Sequence, residues 1–209
     1  MIILEHEQGS QAWHDARRAV ISSTRVGRAI GSPAVRETLL NELIAEEITG
    51  ETKDFRGNDS MVRGTQAEIY AVRRYQAETG SLVQQVGFCI SEEFSWLGWS
   101  PDGLVSGRTY GDEGAVEIKS PNSDTFVKYV RSGKVPKEYE GQVKAAFLVK
   151  PDLDWLDFVV FDPRVKREAM RLSTKRVYRK DLDLAEARTK LLSFREQWLK
   201  ELDKFKFKM

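Results

Sequence analysis

Apolar residues recur every three or four positions through most of the first 80 residues, a period typical of amphipathic helices. The clearest stretch is Leu39–Ile48, which follows the helix-start signal Ser32-Pro33 and precedes the stop signal Gly50. The polar, glycine-containing segment 52–64 predicts a loop. The other helix boundaries predicted from such signals are starts at Ser10 and Ser22 and a stop at Gly80.

Between residues 82 and 161 the pattern changes to short β-rich runs that are broken by Gly, Pro and Asp. Helices are predicted between the last two of these runs and again from Leu182 to the end, and residues 107–114 are predicted to form a hairpin loop. This order predicts an α+β (α/β) fold, in which helices flank a mixed central sheet. The predicted strands are Leu82–Ile90, Trp96–Ser100, Leu104–Ser106, Ala115–Ser120 and Leu156–Phe161.

Length and composition limit the classes of protein that this chain can represent. Its 209 residues fit one domain, in which we distinguish N-terminal helices and a loop (1–60), a core (64–161) and a C-terminal helix (182–209). A net charge of +1 argues against a protein that merely coats nucleic acid, and it favours an acidic site beside a basic track. A single cysteine, Cys89, excludes an internal disulfide, and two histidines argue against a zinc site.

No signal for export or membrane insertion is recognisable. The acidic start Met1–Glu7 is unlike a signal peptide, and no apolar run is long enough to span a bilayer. We therefore expect a cytoplasmic protein.

The most informative motif pairs Ser100-Pro101-Asp102-Gly103 with Val116-Glu117-Ile118-Lys119. Alternate side chains of a strand share a face, so Glu117 and Lys119 should point the same way. Two carboxylates and an ammonium suit Mg²⁺ and a phosphodiester. Each half also has a simpler interpretation, because Pro-Asp-Gly is a common turn and Glu-x-Lys is a common surface charge pair.

Five motifs in order resemble the YqaJ-like viral recombinases, the phage lambda exonuclease branch of the PD-(D/E)xK nuclease superfamily. The resemblance runs from about Trp13 to Val143. The motifs that carry it are Ala12-Trp13-His14-Asp15-Ala16-Arg17 with Val20-Ile21-Ser22-Ser23-Thr24, Gly64-Thr65-Gln66-Ala67-Glu68, Ser100-Pro101-Asp102-Gly103, Glu117-Ile118-Lys119-Ser120-Pro121, and Tyr139-Glu140-Gly141-Gln142-Val143.

The resemblance implies a role for particular residues. It implies that metal is bound by Asp102, Glu117 and the main-chain carbonyl of Ile118. Glu68 would lie near the metal and contact it through a water molecule. It makes Lys119 the catalytic lysine. The remaining implied roles are orientation of the site or of the nucleophile by Gln142, and a pocket for a 5′-phosphate formed by Arg17, Thr24 and Ser100.

The resemblance also implies a fold and an activity. The fold is a restriction-endonuclease-like, three-layer α/β/α sandwich. The activity is processive 5′→3′ degradation of one strand of linear double-stranded DNA, with two Mg²⁺ ions for which Mn²⁺ can substitute, and it leaves 3′ tails for recombination by strand annealing. The implied partners are two further copies in a ring-shaped homotrimer and a single-strand annealing protein, in the cytoplasm of a bacterial host.

Two other functions remain open at this stage. A restriction or repair endonuclease of the same superfamily would share Asp102, Glu117 and Lys119, but it would not need the pocket at Arg17. A non-catalytic DNA-end-binding protein would share the fold. The carboxylates argue against it, because they repel DNA phosphates unless a metal is bound.

Overall fold

Two β-sheets and the helices packed on them make up the described part of the chain, residues 1–52, 59–106 and 113–206 of a computed structural model. The helices are α1 Gln11–Ala16, α2 Ser23–Ala29, α3 Pro33–Thr49, α4 Asp59–Thr79, α5 Ser123–Ser132, α6 Lys137–Val149 and α7 Leu184–Lys206. The strands are β1 Ile2–Leu4, β2 Ile21–Ser22, β3 Leu82–Gln84, β4 Phe88–Ile90, β5 Leu97–Trp99, β6 Gly103–Ser106, β7 Glu113–Lys119, β8 Trp155–Phe161 and β9 Leu172–Tyr178.

The larger sheet has five strands in the order β3-β6-β7-β8-β9. Among its described strands, β7 and β8 are the one pair that runs in parallel, and α5 and α6 form the crossover that such a pair requires. In this register Glu117 lies opposite Phe158, and Lys119 lies opposite Val160. The mixed sheet with helices around it confirms the predicted fold class.

Helices cover both faces of the larger sheet. On one face α4 packs through Ala71 and Tyr75 against a group of buried strand residues that includes Val116 and Ile118. On the other face, Ala115 and strand β8 pack against α6 within the main core. The alternation along β7 therefore directs Val116 and Ile118 toward α4, and it directs Ala115, Glu117 and Lys119 toward α6.

A smaller sheet, with the order β1-β4-β5-β2, was not separately predicted. Its strand β2 pairs in parallel with β5, and Ser22 lies opposite Gly98. The predicted strand Leu82–Ile90 was wrong in its continuity, because β3 belongs to the larger sheet and β4 to the smaller one. Strands β1, β2 and β9 were missed.

The predicted helix boundaries agree with the structure at most ends. Ser10 caps α1, since its hydroxyl accepts the Trp13 N–H at 3.2 Å. Gly50 and Gly80 follow α3 and α4 with φ of 69° each, the left-handed conformation that ends a helix. The predicted loop over 52–64 was wrong in its second half, because α4 begins at Asp59. Residues 53–58, and residues 107–112 of the predicted hairpin loop, lie outside the described residues.

Helices α2 and α6 cross in backbone contact. A Cβ atom on Gly141 would lie 2.4 Å from the Cα atom of Gly27, so a side chain cannot be accommodated there without movement of the backbone. This crossing fixes α6 against α2 immediately before Gln142. None of the helices in the described ranges is long and apolar enough to cross a membrane.

Candidate active site

The central side chains of the candidate site come from β7 and from the residue that precedes β6. Because β6 pairs antiparallel with β7, with Gly103 opposite Val116, Asp102 lies beside Glu117. The Oδ2 atom of Asp102 accepts the backbone N–H of Ile118 at 2.6 Å. This bond ties the turn of the Ser-Pro-Asp-Gly motif to the strand that carries the Glu-x-Lys motif.

Glu117 is the centre of a buried polar cluster and is only 1% exposed. Its Oε1 atom receives Lys119 Nζ at 2.6 Å and Gln142 Nε2 at 2.5 Å. The ammonium of Lys119 also lies 5.2 Å from the centre of the Tyr139 ring. Strand β7 and helix α6 thus bring three of the predicted residues into direct contact.

The other oxygen of Glu117, Oε2, is buried and has no hydrogen-bond partner among the described residues. A buried, unpartnered carboxylate oxygen is costly, and a bound cation is one way to satisfy it. Within the described residues, no group of three or more His, Cys, Asp and Glu side chains is arranged to hold an ion. Two carboxylates and a backbone carbonyl remain, a sparse set of oxygens that suits Mg²⁺, which keeps several waters and binds substrate phosphate.

Electrostatic effects connect Glu68 on α4 to this cluster. Burial, and then the Glu117 carboxylate, raise the pKa of Glu68. Burial also raises the pKa of Asp102 well above its usual range, Glu117 raises it further, and Lys119 partly offsets both effects. Burial lowers the pKa of Lys119, but the Glu117 and Asp102 carboxylates raise it above its ordinary value. The carboxylates repel one another, so a divalent cation among them would relieve an unfavourable interaction.

Arg17 lies beside the cluster and has a different environment. It follows the last residue of α1, and its Nη1 atom donates to Ser100 Oγ at 3.0 Å. Its guanidinium carbon lies 4.0 Å from the centre of the Trp13 ring and 5.3 Å from that of Phe88. Burial, and then Arg25, lower the pKa of Arg17 to about 10. In the part of the chain that the structure describes, no carboxylate pairs with Arg17, so it remains available to an anion.

Thr24 lies in the first turn of α2, where its hydroxyl is 3.1 Å from that of Ser22. The parallel pairing of β2 with β5 places Ser22 opposite Gly98, two residues before Ser100. The end of β2 therefore lies beside the end of β5 that leads to the motif. The structure brings Arg17 into contact with Ser100, and it places Thr24 in the helical turn that directly follows the neighbouring strand β2.

Sequence reasoning missed a buried ion pair next to this pocket. Glu46 on α3 is 4% exposed, and it receives both Nη atoms of Arg25 and the backbone N–H of Ala19 at 2.9 Å. Ala19 has a φ of 51°, a conformation that is unusual for a residue with a side chain. Glu46 therefore holds the segment between Arg17 and Thr24 in shape. Its signal in the sequence was an acidic residue three positions after Leu43, on the apolar face of α3.

The fold and the motifs at this site define a class of protein. A mixed sheet that carries Asp102 near one end of β6 and Glu117-x-Lys119 on β7 is the core of the PD-(D/E)xK nucleases. More narrowly, the sequence profile of the YqaJ-like viral recombinase domain matches residues 12–150. The chain belongs to the YqaJ-like viral recombinase family.

Solved structures support this assignment. An alkaline exonuclease from Laribacter hongkongensis is 32% identical, with a TM-score of 0.86 over 95% of this chain and 97% of that chain. The same enzyme in complex with dAMP gives 33% identity over the same shares, again with a TM-score of 0.86. A phage-related exonuclease from Haemophilus somnus shares the fold at 14% identity, with a TM-score of 0.63 over 88% of this chain and 95% of that chain. No curated protein matches the sequence significantly.

Proposed function

We propose that this chain is a Mg²⁺-dependent exonuclease that degrades the 5′-ended strand of linear double-stranded DNA and leaves 3′ single-stranded tails. The observation that carries the proposal is the contact between Arg17 and Ser100, two residues before Asp102. This contact supports the proposal, because an arginine beside the candidate catalytic cluster suits a terminal phosphate. The name and the nucleotide complex of the Laribacter hongkongensis relative support an exonuclease.

Each residue has a proposed part in the reaction. Asp102, Glu117 and the carbonyl of Ile118 would hold Mg²⁺, with Glu68 close by through water. When bound, the ion would polarise the phosphodiester and lower the pKa of a water molecule. Lys119 donates a hydrogen bond to the phosphate oxygen that gains charge. Among the described contacts, Gln142 keeps Glu117 in place with a hydrogen bond from Nε2.

Arg17, with Ser100 and Thr24, forms the proposed pocket for the terminal 5′-phosphate. One guanidinium nitrogen is engaged by Ser100, and the remaining donors suit the oxygens of a phosphate. The stacked Trp13 ring holds the guanidinium plane, so little side-chain entropy is lost when the phosphate binds. Such a pocket selects a DNA end, which an endonuclease does not need.

The direct test is digestion of a linear duplex that carries a separate label on each of its four strand ends. With Mg²⁺ or Mn²⁺, we expect nucleotides to be released from the 5′ ends only, and more rapidly when those ends are phosphorylated. Without a divalent cation we expect no cleavage. Release from the 3′ ends would contradict the proposal.

A supercoiled circle separates the competing functions. An exonuclease leaves it intact, a restriction or repair endonuclease of the same fold cuts it, and a non-catalytic end-binding protein degrades neither substrate.

We also propose that the chain works as a ring-shaped homotrimer in the cytoplasm of a bacterial host, together with a single-strand annealing protein. A monomer of this length cannot surround a duplex, whereas a closed cyclic assembly can, and enclosure would explain processive degradation. Light scattering of the purified protein at micromolar concentration tests the trimer. A monomer or a dimer would remove the ring from the proposal.

A further inference from the structure

A cleft of about 340 Å³ lies between α4 and the segment that connects β8 to β9, the last two strands in the order of the larger sheet. It is lined by Tyr70, Arg74, Phe161, Pro163, Glu168 and Arg171. The residues proposed for metal binding and for the 5′-phosphate do not contribute to it. The cleft is therefore a separate surface feature with its own aromatic and cationic lining.

The strand register places the cleft at the same end of the strands as the candidate active site, the end at which β7 and β8 finish. Strands β7 and β8 run in parallel, with Lys119 opposite Val160, so the carboxyl ends of both strands lie together. Phe161, in the cleft, is the residue after Val160. Arg164 donates to the carbonyl of Pro121 at 2.7 Å, which joins the segment after β8 to the segment after β7.

Helix α4 carries both Glu68, which belongs to the carboxylate cluster, and Tyr70, which lines the cleft. Its buried stripe contains Ala67, Ala71 and Tyr75, at spacings of four residues. At 100° per residue, Glu68 lies on one side of this stripe and Tyr70 lies on the other. The cleft therefore lies on the side of α4 that faces away from Glu68.

The segment after β8, which forms one side of the cleft, is basic. Residues 163–171 contain four basic side chains and one acidic side chain, Glu168, although the whole chain has a net charge of only +1. The two arginines that line the cleft are each paired with a carboxylate, Arg74 with Glu78 and Arg171 with Glu168. Lys166 and Arg167, between two residues that line the cleft, are exposed. Such a surface attracts phosphates.

Tyr70 adds an aromatic face to this basic surface. It is 62% exposed, an unusual position for a large aromatic residue, and it lies next to Arg74 and Arg171. An exposed ring together with cations is the arrangement on which single-stranded nucleic acid binds, because unstacked bases pack on the ring and phosphates contact the cations. Paired bases in a duplex keep their faces stacked on each other and offer none to Tyr70.

We propose that this cleft binds single-stranded DNA, with a base stacked on Tyr70, and that the strand it holds is the retained, 3′-ended strand. The proposal rests on the proposed exonuclease function, since that reaction produces such a strand. The choice of strand follows from the positions of the two sites. The 5′ end is taken by Arg17 and Ser100 on the β6 side of the cluster, and the cleft lies on the β8 and β9 side.

The test measures binding of a fluorescent single-stranded thymidine oligonucleotide with a 5′-hydroxyl, in EDTA, to the full-length chain. The 5′-hydroxyl avoids the phosphate pocket, and EDTA prevents cleavage. We expect Tyr70→Ala to weaken binding by about fivefold or more, and Tyr70→Phe to bind within about twofold of the wild type, because the ring faces remain.

The matched control is Tyr178→Ala. Tyr178 is also an exposed tyrosine, but it lies opposite Trp155, the first residue of β8. It is therefore at the opposite end of the strands from the cleft. We expect this variant to bind like the wild type. Equal losses in the Tyr70→Ala and Tyr178→Ala variants would overturn the proposal, and so would unchanged binding by Tyr70→Ala.

Light scattering of the same variants tests the competing occupant, a second copy of the chain. A change of assembly size in Tyr70→Ala would assign the cleft to a contact between copies and would overturn the proposal, whereas an unchanged size supports it. Digestion of linear duplex by the wild type tests the proposed function separately. If the wild type binds the oligonucleotide through Tyr70 but does not degrade linear duplex, the proposed exonuclease function is contradicted, whereas the proposed single-stranded DNA site stands.

Discussion

Replacement of Arg17 by alanine should remove the preference for a 5′-phosphate rather than slow all DNA substrates equally. The side chain has one described hydrogen bond, to Ser100, and its guanidinium stacks on Trp13. Since no described carboxylate neutralises it, its charge is available to a bound phosphate. A 5′-hydroxyl end offers no such charge, so its rate depends on Arg17 much less.

The size of the effect follows from the kind of contact that is lost. Hydrogen bonds to charged groups contribute about 1.5–3 kcal/mol. This range corresponds to a loss of about 12- to 150-fold in the rate on a 5′-phosphorylated duplex. Arg17→Lys should recover only part of the loss, because an ammonium keeps the charge but lacks the planar fork and the stacking on Trp13.

The assay compares two duplexes of the same sequence that differ only in the 5′-phosphate, under single-turnover conditions. The ratio of the two rates is the measured quantity, since partial unfolding after the loss of stacking on Trp13 would slow both reactions alike. Arg18→Ala is the control, because Arg18 is a neighbouring arginine that is paired with Asp15. If Arg17→Ala slowed both duplexes by the same factor, the pocket would be wrongly assigned.

Three further predictions concern the cluster and its support. Lys119→Ala should abolish cleavage, leave duplex binding in EDTA largely intact and show no recovery with added Mg²⁺, as followed by product release and fluorescence anisotropy. Gln142→Leu removes a 2.5 Å hydrogen bond to Glu117, so it should slow single-turnover cleavage by about 10- to 100-fold. Gln142→Glu should be no faster than Gln142→Leu, because it adds a negative charge beside Glu117. Gly141→Ala places a methyl group 2.4 Å from Gly27 Cα, so it should lower the thermal unfolding midpoint by several degrees, whereas Gly133→Ser, at a helix end with open space around it, should lower it less.

Local sequence patterns were sufficient to predict those features of the structure that depend on a single strand or helix. The alternation along β7 predicted that Glu117 and Lys119 share a face, and both lie on the α6 side, where they form an ion pair. Ser10, Gly50 and Gly80 were readable as helix ends for the same reason. Capping and left-handed turns depend on the chain within a few residues.

Partner choice between strands could not be read from the sequence. Strand β9 was missed because its sequence, Leu-Ser-Thr-Lys-Arg-Val-Tyr, is mostly polar, as suits the edge of a sheet. Its place depends partly on a distant contact, in which Arg176 donates to both oxygens of Asp157 and stacks on Trp155. The division of residues 82–90 between two sheets is likewise decided by segments far away in the chain.

The candidate site depends on the relative position of two sheets that no single motif specifies. Arg17 and Thr24 belong to the region of the smaller sheet, whereas Glu117 and Lys119 are on the larger one. Helix α2 starts at the end of β2, and it crosses α6, which carries Gln142, in backbone contact. Because no side chain lies between the two glycines at the crossing, the helices have little freedom to separate. The proposed phosphate pocket and the cluster are therefore held in one fixed relation, and this relation would determine where a bound 5′ end presents its first phosphodiester.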